Sequence, residues 1–118
     1  MEEVVKAIEE LKEKAKSGWV ILVEGKKDEI ALRNLGIEGE FVIFSGLAST
    51  AEKLRGRRVV IMTDYDERGM MIEKSLLRAL PNSVDVQIKK KIFCYAKKDV
   101  TKVEELYEYF LREGYAGI

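Results

Sequence analysis

Three short apolar runs constrain this chain most: Trp19-Val20-Ile21-Leu22-Val23, Phe41-Val42-Ile43-Phe44 and Val59-Val60-Ile61-Met62. Each has the length of a strand and no polar interruption. They close at Glu24-Gly25, Ser45-Gly46 and Thr63-Asp64-Tyr65-Asp66. Continuous rather than alternating apolarity marks strands buried on both faces. The stretches between them carry apolar residues at helical spacing. Strands alternating with helices predict a mostly parallel sheet covered by helices on both faces. In such sheets ligands bind outside the carboxyl ends of the strands, so the tips matter most for function.

The remaining elements fit that frame. Residues 2–16 place Val4, Val5, Ile8, Leu11 and Ala15 on one helical face, and Ser17-Gly18 ends the helix. A helix from Lys26 or Lys27 to Leu35 is expected to turn Ile30, Ala31 and Leu35 inward, with Gly36 as its stop. Leu47 to Leu54 reads as a short helix. After the paired aspartates, a helix from about Gly69 to Leu80 carries Met71, Ile72, Leu76, Leu77 and Leu80. Val84, Val86 and Ile88 alternate with Asp85 and Gln87, the pattern of a half-exposed edge strand. Lys89-Lys90-Lys91 then separates it from Ile92 to Tyr95, which reads as a short strand or an extended loop. Thr101 and Glu104 have capping-box spacing for a last helix over 101–113, with Val103, Leu106, Tyr107, Phe110 and Leu111 on one side. With 118 residues, one domain is the expectation.

Composition excludes several chemistries. There is no histidine and one cysteine, Cys94, expected as a small buried hydrophobe. Histidine-based catalysis and cysteine zinc sites are therefore out, and any metal must be held by oxygen, which favours magnesium, manganese or calcium. The 21 basic and 21 acidic residues cancel, which argues against general nucleic-acid binding over the whole surface. Local basic clusters remain: Lys26-Lys27, Arg55 with Arg57-Arg58, Lys89 to Lys91 and Lys97-Lys98. No apolar run approaches the roughly 20 residues that span a bilayer, and no signal-peptide pattern opens the chain, so a cytoplasmic location is expected. Abundant Glu, Lys and Arg with few amides suggests a thermophile.

Glu24 stands at one strand tip, Asp64 and Asp66 at another. If those strands are neighbours, the carboxylates form an acidic cluster whose mutual repulsion a cation would relieve. Carboxylates with a divalent metal suit phosphoryl transfer. Val20 to Asp28, with Leu32 and Gly36, resembles the first motif of the Toprim domain: an apolar strand ending in Glu-Gly, then Asp, Leu and Gly. Asp64-Tyr65-Asp66-Glu67-Arg68-Gly69, with Ile72, resembles its paired-aspartate motif, and Phe41 to Gly46 matches the strand between. The resemblance runs from about Trp19 to Ile88.

That resemblance implies a three-layer α/β/α domain with a mostly parallel sheet of about four strands. It further implies magnesium- or manganese-dependent chemistry on nucleic-acid phosphodiesters. Carried over, Glu24 would be general acid or base, Asp64 and Asp66 the metal ligands, and Asp28 a supporting acid. Gly25 and Gly69 would allow close approach of backbone and phosphate. Glu104 is a less specific candidate for a late acidic position. Within these 118 residues the accessory modules of topoisomerases, primases, recombination proteins and overcoming-lysogenization nucleases are not expected. The chain is most similar to small stand-alone archaeal Toprim proteins and to the ribosomal-RNA maturase Toprim nucleases. A nuclease or RNA-processing factor acting on RNA or DNA is the expectation, with protein partners supplying substrate binding. The alternatives are a non-catalytic binding or assembly module of a larger complex, and a nucleotide-binding protein.

Each candidate has a plainer role open to it. Asp66 would cap the following helix, and Asp28 would complement a helix dipole. Lys26, Lys27 and Arg68 contact substrate phosphates or form solvated faces. Lys89 to Lys91 contact nucleic acid or protect an edge strand. Tyr65 is not expected to act as a nucleophile. Tyr107, Phe110 and Tyr115 are expected to pack.

Overall fold

A computed structural model describes residues 2–96 and 99–114. Lys97, Lys98 and Tyr115 lie outside them. The chain runs α1 (Glu2–Lys16), β1 (Val20–Val23), α2 (Lys26–Asn34), β2 (Phe41–Ile43), α3 (Leu47–Leu54), β3 (Val59–Ile61), α4 (Glu67–Ala79), β4 (Val84–Asp85), α5 (Gln87–Ala96), a 3-10 turn (Val103–Glu105) and α6 (Leu106–Arg112). The fold is α/β, with the four strands in the order β2-β1-β3-β4 and every pairing parallel. Both β1 and β3 are buried throughout, as their unbroken apolarity requires.

Alternation along the strands divides the core. Ile21, Val23, Val60 and Met62 face one layer with α1, α5 and α6, through residues such as Ile8, Leu11, Phe93 and Phe110. Val20, Leu22, Val59 and Ile61 face the other, against Leu54 of α3 and Ile72 and Leu76 of α4. The helical faces are narrower than the apolar spacing suggests. Ile30 is 49% exposed and Leu32 takes the inward place; Met71, Leu77 and Leu111 are also exposed.

The largest departure follows β4. The expected strand over Val84 to Ile88 stops at Asp85, and both it and the run Ile92 to Tyr95 give way to the single helix α5. Asp85 Oδ1 accepts the backbone N–H groups of Gln87 and Ile88 at 3.0 and 3.1 Å, which caps the helix. Ile88, Lys89, Ile92, Phe93 and Ala96 then form its buried face, while Cys94 points outward and is exposed, not buried as expected. Lys89 is 1% exposed and packs inside, so it neither meets nucleic acid nor shields an edge. The last helix likewise starts later. No side-chain cap involves Thr101, and the 3-10 turn precedes α6.

Candidate functional site

The sheet order makes β1 and β3 neighbours, with Leu22 beside Ile61. Their tips therefore meet. The Asp64 backbone N–H donates to Glu24 Oε2 at 2.8 Å. The Arg68 guanidinium, from the first turn of α4, donates to Glu24 Oε1 at 2.9 Å. Both oxygens of Glu24 are thus held, with its side chain 9% exposed.

Asp64 faces the chain that follows α5. Its Oδ1 accepts the Val103 N–H at 2.8 Å, and its Oδ2 lies 3.9 Å from the Lys102 ammonium. The same ammonium donates to Asp66 Oδ2 at 2.5 Å. Asp66 also caps α4, its Oδ1 accepting the Gly69 N–H at 2.8 Å. The capping role and a place in the cluster coexist, because a carboxylate has two oxygens. Asp28 accepts the Gly25 N–H at 3.0 Å and is buried at the start of α2.

The electrostatics of the three aspartates differ. Burial pushes Asp64 up to about 6; the Val103 N–H opposes this, and Glu24 and Asp28 add to it. Burial likewise raises Asp28, partly offset by the Gly25 N–H and reinforced by Glu24 and Glu104. Asp66 is held low by its hydrogen bond to Lys102 and by the Gly69 N–H. One carboxyl of the aspartate pair is therefore hard to ionise in isolation and the other easy, an arrangement associated with functional sites.

The two glycines differ in kind. A Cβ on Gly69 would lie 1.9 Å from the Asp64 carbonyl oxygen, so only glycine lets α4 start this close to the β3 tip. The close approach is made by the chain's own backbone. At Gly25 a Cβ would meet nothing nearer than Asp28 Oδ2 at 4.0 Å. Lys26 pairs with Glu29 at 3.3 Å, and Lys27 is exposed beside Glu104, Glu105 and Glu108.

Some residues around the tip carry no local sequence signal. Lys102 and the Val103 N–H reach the aspartates from a turn beyond α5, and the Tyr65 N–H donates to the Thr101 carbonyl at 2.7 Å. Behind the tip, Lys89 donates to Thr63 Oγ1 at 3.0 Å, and Thr63 donates to the Gly69 carbonyl at 2.9 Å. Reading residues 87–96 at helical spacing would have placed Lys89 on the buried face.

Among the described residues, no group of three or more acidic or cysteine side chains is arranged to hold a metal ion. The donors at the tip nonetheless suit one. They are carboxylate oxygens, as magnesium and manganese require. Asp64 is pushed up chiefly by burial, with Glu24 and Asp28 adding to it, and a bound cation would offset the cost of ionising it there. The Lys102 ammonium already sits against both aspartates. Asp64 and Asp66 are the residues that would hold the ion.

The sequence pattern of the Toprim domain family matches residues 19–96. A UPF0292 protein of Archaeoglobus fulgidus is 51% identical over 115 residues, covering 95% of this chain and 91% of its own. A UPF0292 protein of Methanocaldococcus jannaschii is 33% identical over 116 residues, covering 92% and 90%. The solved structure of an Aquifex aeolicus protein superposes with a TM-score of 0.68 at 29% identity, covering 86% of this chain and 95% of that one.

Proposed function

Starting from the fact that this chain belongs to the Toprim domain family, with small archaeal UPF0292 proteins as relatives, we propose that it is a magnesium- or manganese-dependent enzyme acting on nucleic-acid phosphodiesters. Family membership points to a metal-dependent, nucleic-acid-related role. The finer reading, a small nuclease or RNA-processing factor working in the cytoplasm on RNA or DNA, is ours.

One observation carries it. Glu24 and the paired aspartates, distant in sequence, converge on one sheet tip with the Asp64 N–H at 2.8 Å from Glu24. A divalent ion held by Asp64 and Asp66 would supply charge stabilisation to a phosphoryl group. Glu24 would take or give a proton beside it. Arg68 orients that carboxylate, and being 71% exposed it can also reach a substrate phosphate. Lys26 and Lys27 lie on the next turn, where they would follow the strand's backbone. Asp28 fixes the Gly25 turn that presents Glu24.

A second reading has its own support. Lys102 and Arg68 neutralise the cluster from within, as they would in a non-catalytic binding or assembly module working with protein partners. Labelled structured RNA, single-stranded DNA and duplex DNA, incubated with protein and magnesium or manganese, separate the two. Cleavage that Glu24→Gln and Asp64→Asn both abolish supports the enzyme. Absence of cleavage by the wild type, or its survival in both variants, supports the module. Among the described residues no helix is long and apolar enough to cross a membrane.

A further inference from the structure

The two faces of the sheet present opposite chemistry at its carboxyl edge. On the face packed by α2, a shallow hollow is lined by Lys27, Ile30, Glu104, Glu105 and Glu108, so three carboxylates outweigh one ammonium. The other face is packed by α3 and α4. There Arg68 flanks Glu24 from the β3 side. Of the acids on α3 and α4, Glu52 pairs with Arg55 and Glu73 is buried against Lys89, which leaves Glu67 in the first turn of α4.

The β2 tip is fixed next to the β1 tip on this edge. The Phe44 N–H donates to the Val23 carbonyl at 2.8 Å, one residue before Glu24. Ser45 follows, and its N–H donates to Oγ1 of the buried Thr50 at 3.0 Å. The Ser45 and Ser49 hydroxyls lie 2.9 Å apart, and the Lys53 ammonium reaches Ser45 Oγ at 3.4 Å. All three residues are exposed. Lys26 and Lys102 are each paired with a carboxylate, whereas Lys53 has no carboxylate partner among the described residues. A cation and two hydroxyls thus stand together with no anion between them.

We propose that the nucleic-acid strand bound at the carboxylate site continues over the β2 tip, where Ser45, Ser49 and Lys53 hold the phosphate of a neighbouring nucleotide. The inference rests on the nucleic-acid reading of the carboxylate site. Hydroxyls and lysines grip phosphate without reading sequence. Neighbouring strands lie about 4.8 Å apart, so the β2 tip stands about 10 Å from the β3 tip that carries the aspartates, with Glu24 between them. Two phosphates of one strand bridge that distance and a single phosphate does not. The hollow lined by Glu104, Glu105 and Glu108 repels a polyanion, which turns the strand away from α6 and toward α3. The site therefore takes an oligonucleotide in preference to a mononucleotide.

Anisotropy of a labelled single-stranded oligonucleotide in magnesium tests the path. All arms carry Glu24→Gln, so that the strand stays intact. Lys53→Met should weaken binding about tenfold, the scale of one charge-assisted hydrogen bond. It should also flatten the slope of log affinity against log salt by about 0.7, the share of one phosphate on a single strand. Ser45→Ala should weaken binding with the slope unchanged, because a hydroxyl carries no charge. Lys16→Met, an equally exposed lysine at the far end of α1, should change neither. None of these side chains enters the core, so the variants keep the fold. An unchanged slope in Lys53→Met, an equal loss in Lys16→Met, or a nucleoside monophosphate competing as well as the unlabelled strand would overturn the proposal. No binding in any arm would take the nucleic-acid reading with it, whereas binding that ignores Lys53 removes the strand path alone.

Discussion

The Asp64 backbone N–H donates to the Glu24 carboxylate at 2.8 Å across 40 residues of chain. This bond ties the tips of β1 and β3 together and fixes the acidic cluster before any ligand arrives. Its cost falls on Asp64, buried beside two other carboxylates.

That cost should appear in the pH dependence of stability. The Asp64 pKa is about 6 in the folded chain against an ordinary 3.8. Below the lower value both states are protonated and there is no penalty. As pH rises from about 4 to 6 the unfolded chain ionises first and folding weakens; above 6 the full penalty, on the order of 1–3 kcal/mol, remains. Asp64→Asn keeps an acceptor for the Val103 N–H and removes the charge. In metal-free urea titrations it should be more stable than wild type at pH 7.5 and about equal near pH 3.5. Equal stabilities at both pH values would refute this account.

Divalent metal should reverse the order. At about 100 times its dissociation constant an ion bound only by the folded state adds about 2.7 kcal/mol. Magnesium or manganese should raise the wild-type melting temperature, with little effect on Asp64→Asn or Asp66→Asn. Lys102 occupies the same oxygens, so Lys102→Met should bind the ion several-fold more tightly by competition relief, read by titration calorimetry. Weaker binding in that variant would show that Lys102 supports the metal instead of competing with it.

Gly69→Ala should be costly. Its Cβ would overlap the Asp64 carbonyl oxygen at 1.9 Å, and forcing atoms into packed space costs about 1–3 kcal/mol or more. Gly25→Ala, with nothing nearer than 4.0 Å, should cost well under half as much. Chemical unfolding of the two variants side by side gives the comparison.

Lys89→Met should destabilise by about 3–5 kcal/mol, because it leaves Glu73 buried without its cation. Adding Glu73→Leu should recover most of that loss. A double-mutant cycle by urea unfolding measures the coupling, and additivity of the two changes would mean that the pair is energetically silent.

Much of this was legible in the residues. The apolar runs ending at Glu24 and Asp64 carry their burial and their tips in local pattern, and so does the capping position of Asp66. The stretch from Val84 to Tyr95 is ambiguous in sequence, because Val84, Val86 and Ile88 satisfy a period of two, while Ile88, Ile92, Phe93 and Ala96 satisfy a helix. Asp85 decides between them by capping Gln87 and Ile88, a bond that periodicity does not register. Lys89, taken with its neighbours as a surface cluster, is drawn inside by Glu73 and Thr63, both far from it in sequence.

By itself, then, the sequence determined a parallel α/β sheet with carboxylates at its tips, because burial and strand termination are written in neighbouring residues. Only the tertiary structure decided that β1 lies beside β3, that Lys102 and Val103 return to the aspartates, and that the β2 tip flanks the β1 tip on its other side. Those are contacts between segments distant in the chain. They depend on which faces pack together, and no spacing along the sequence records that.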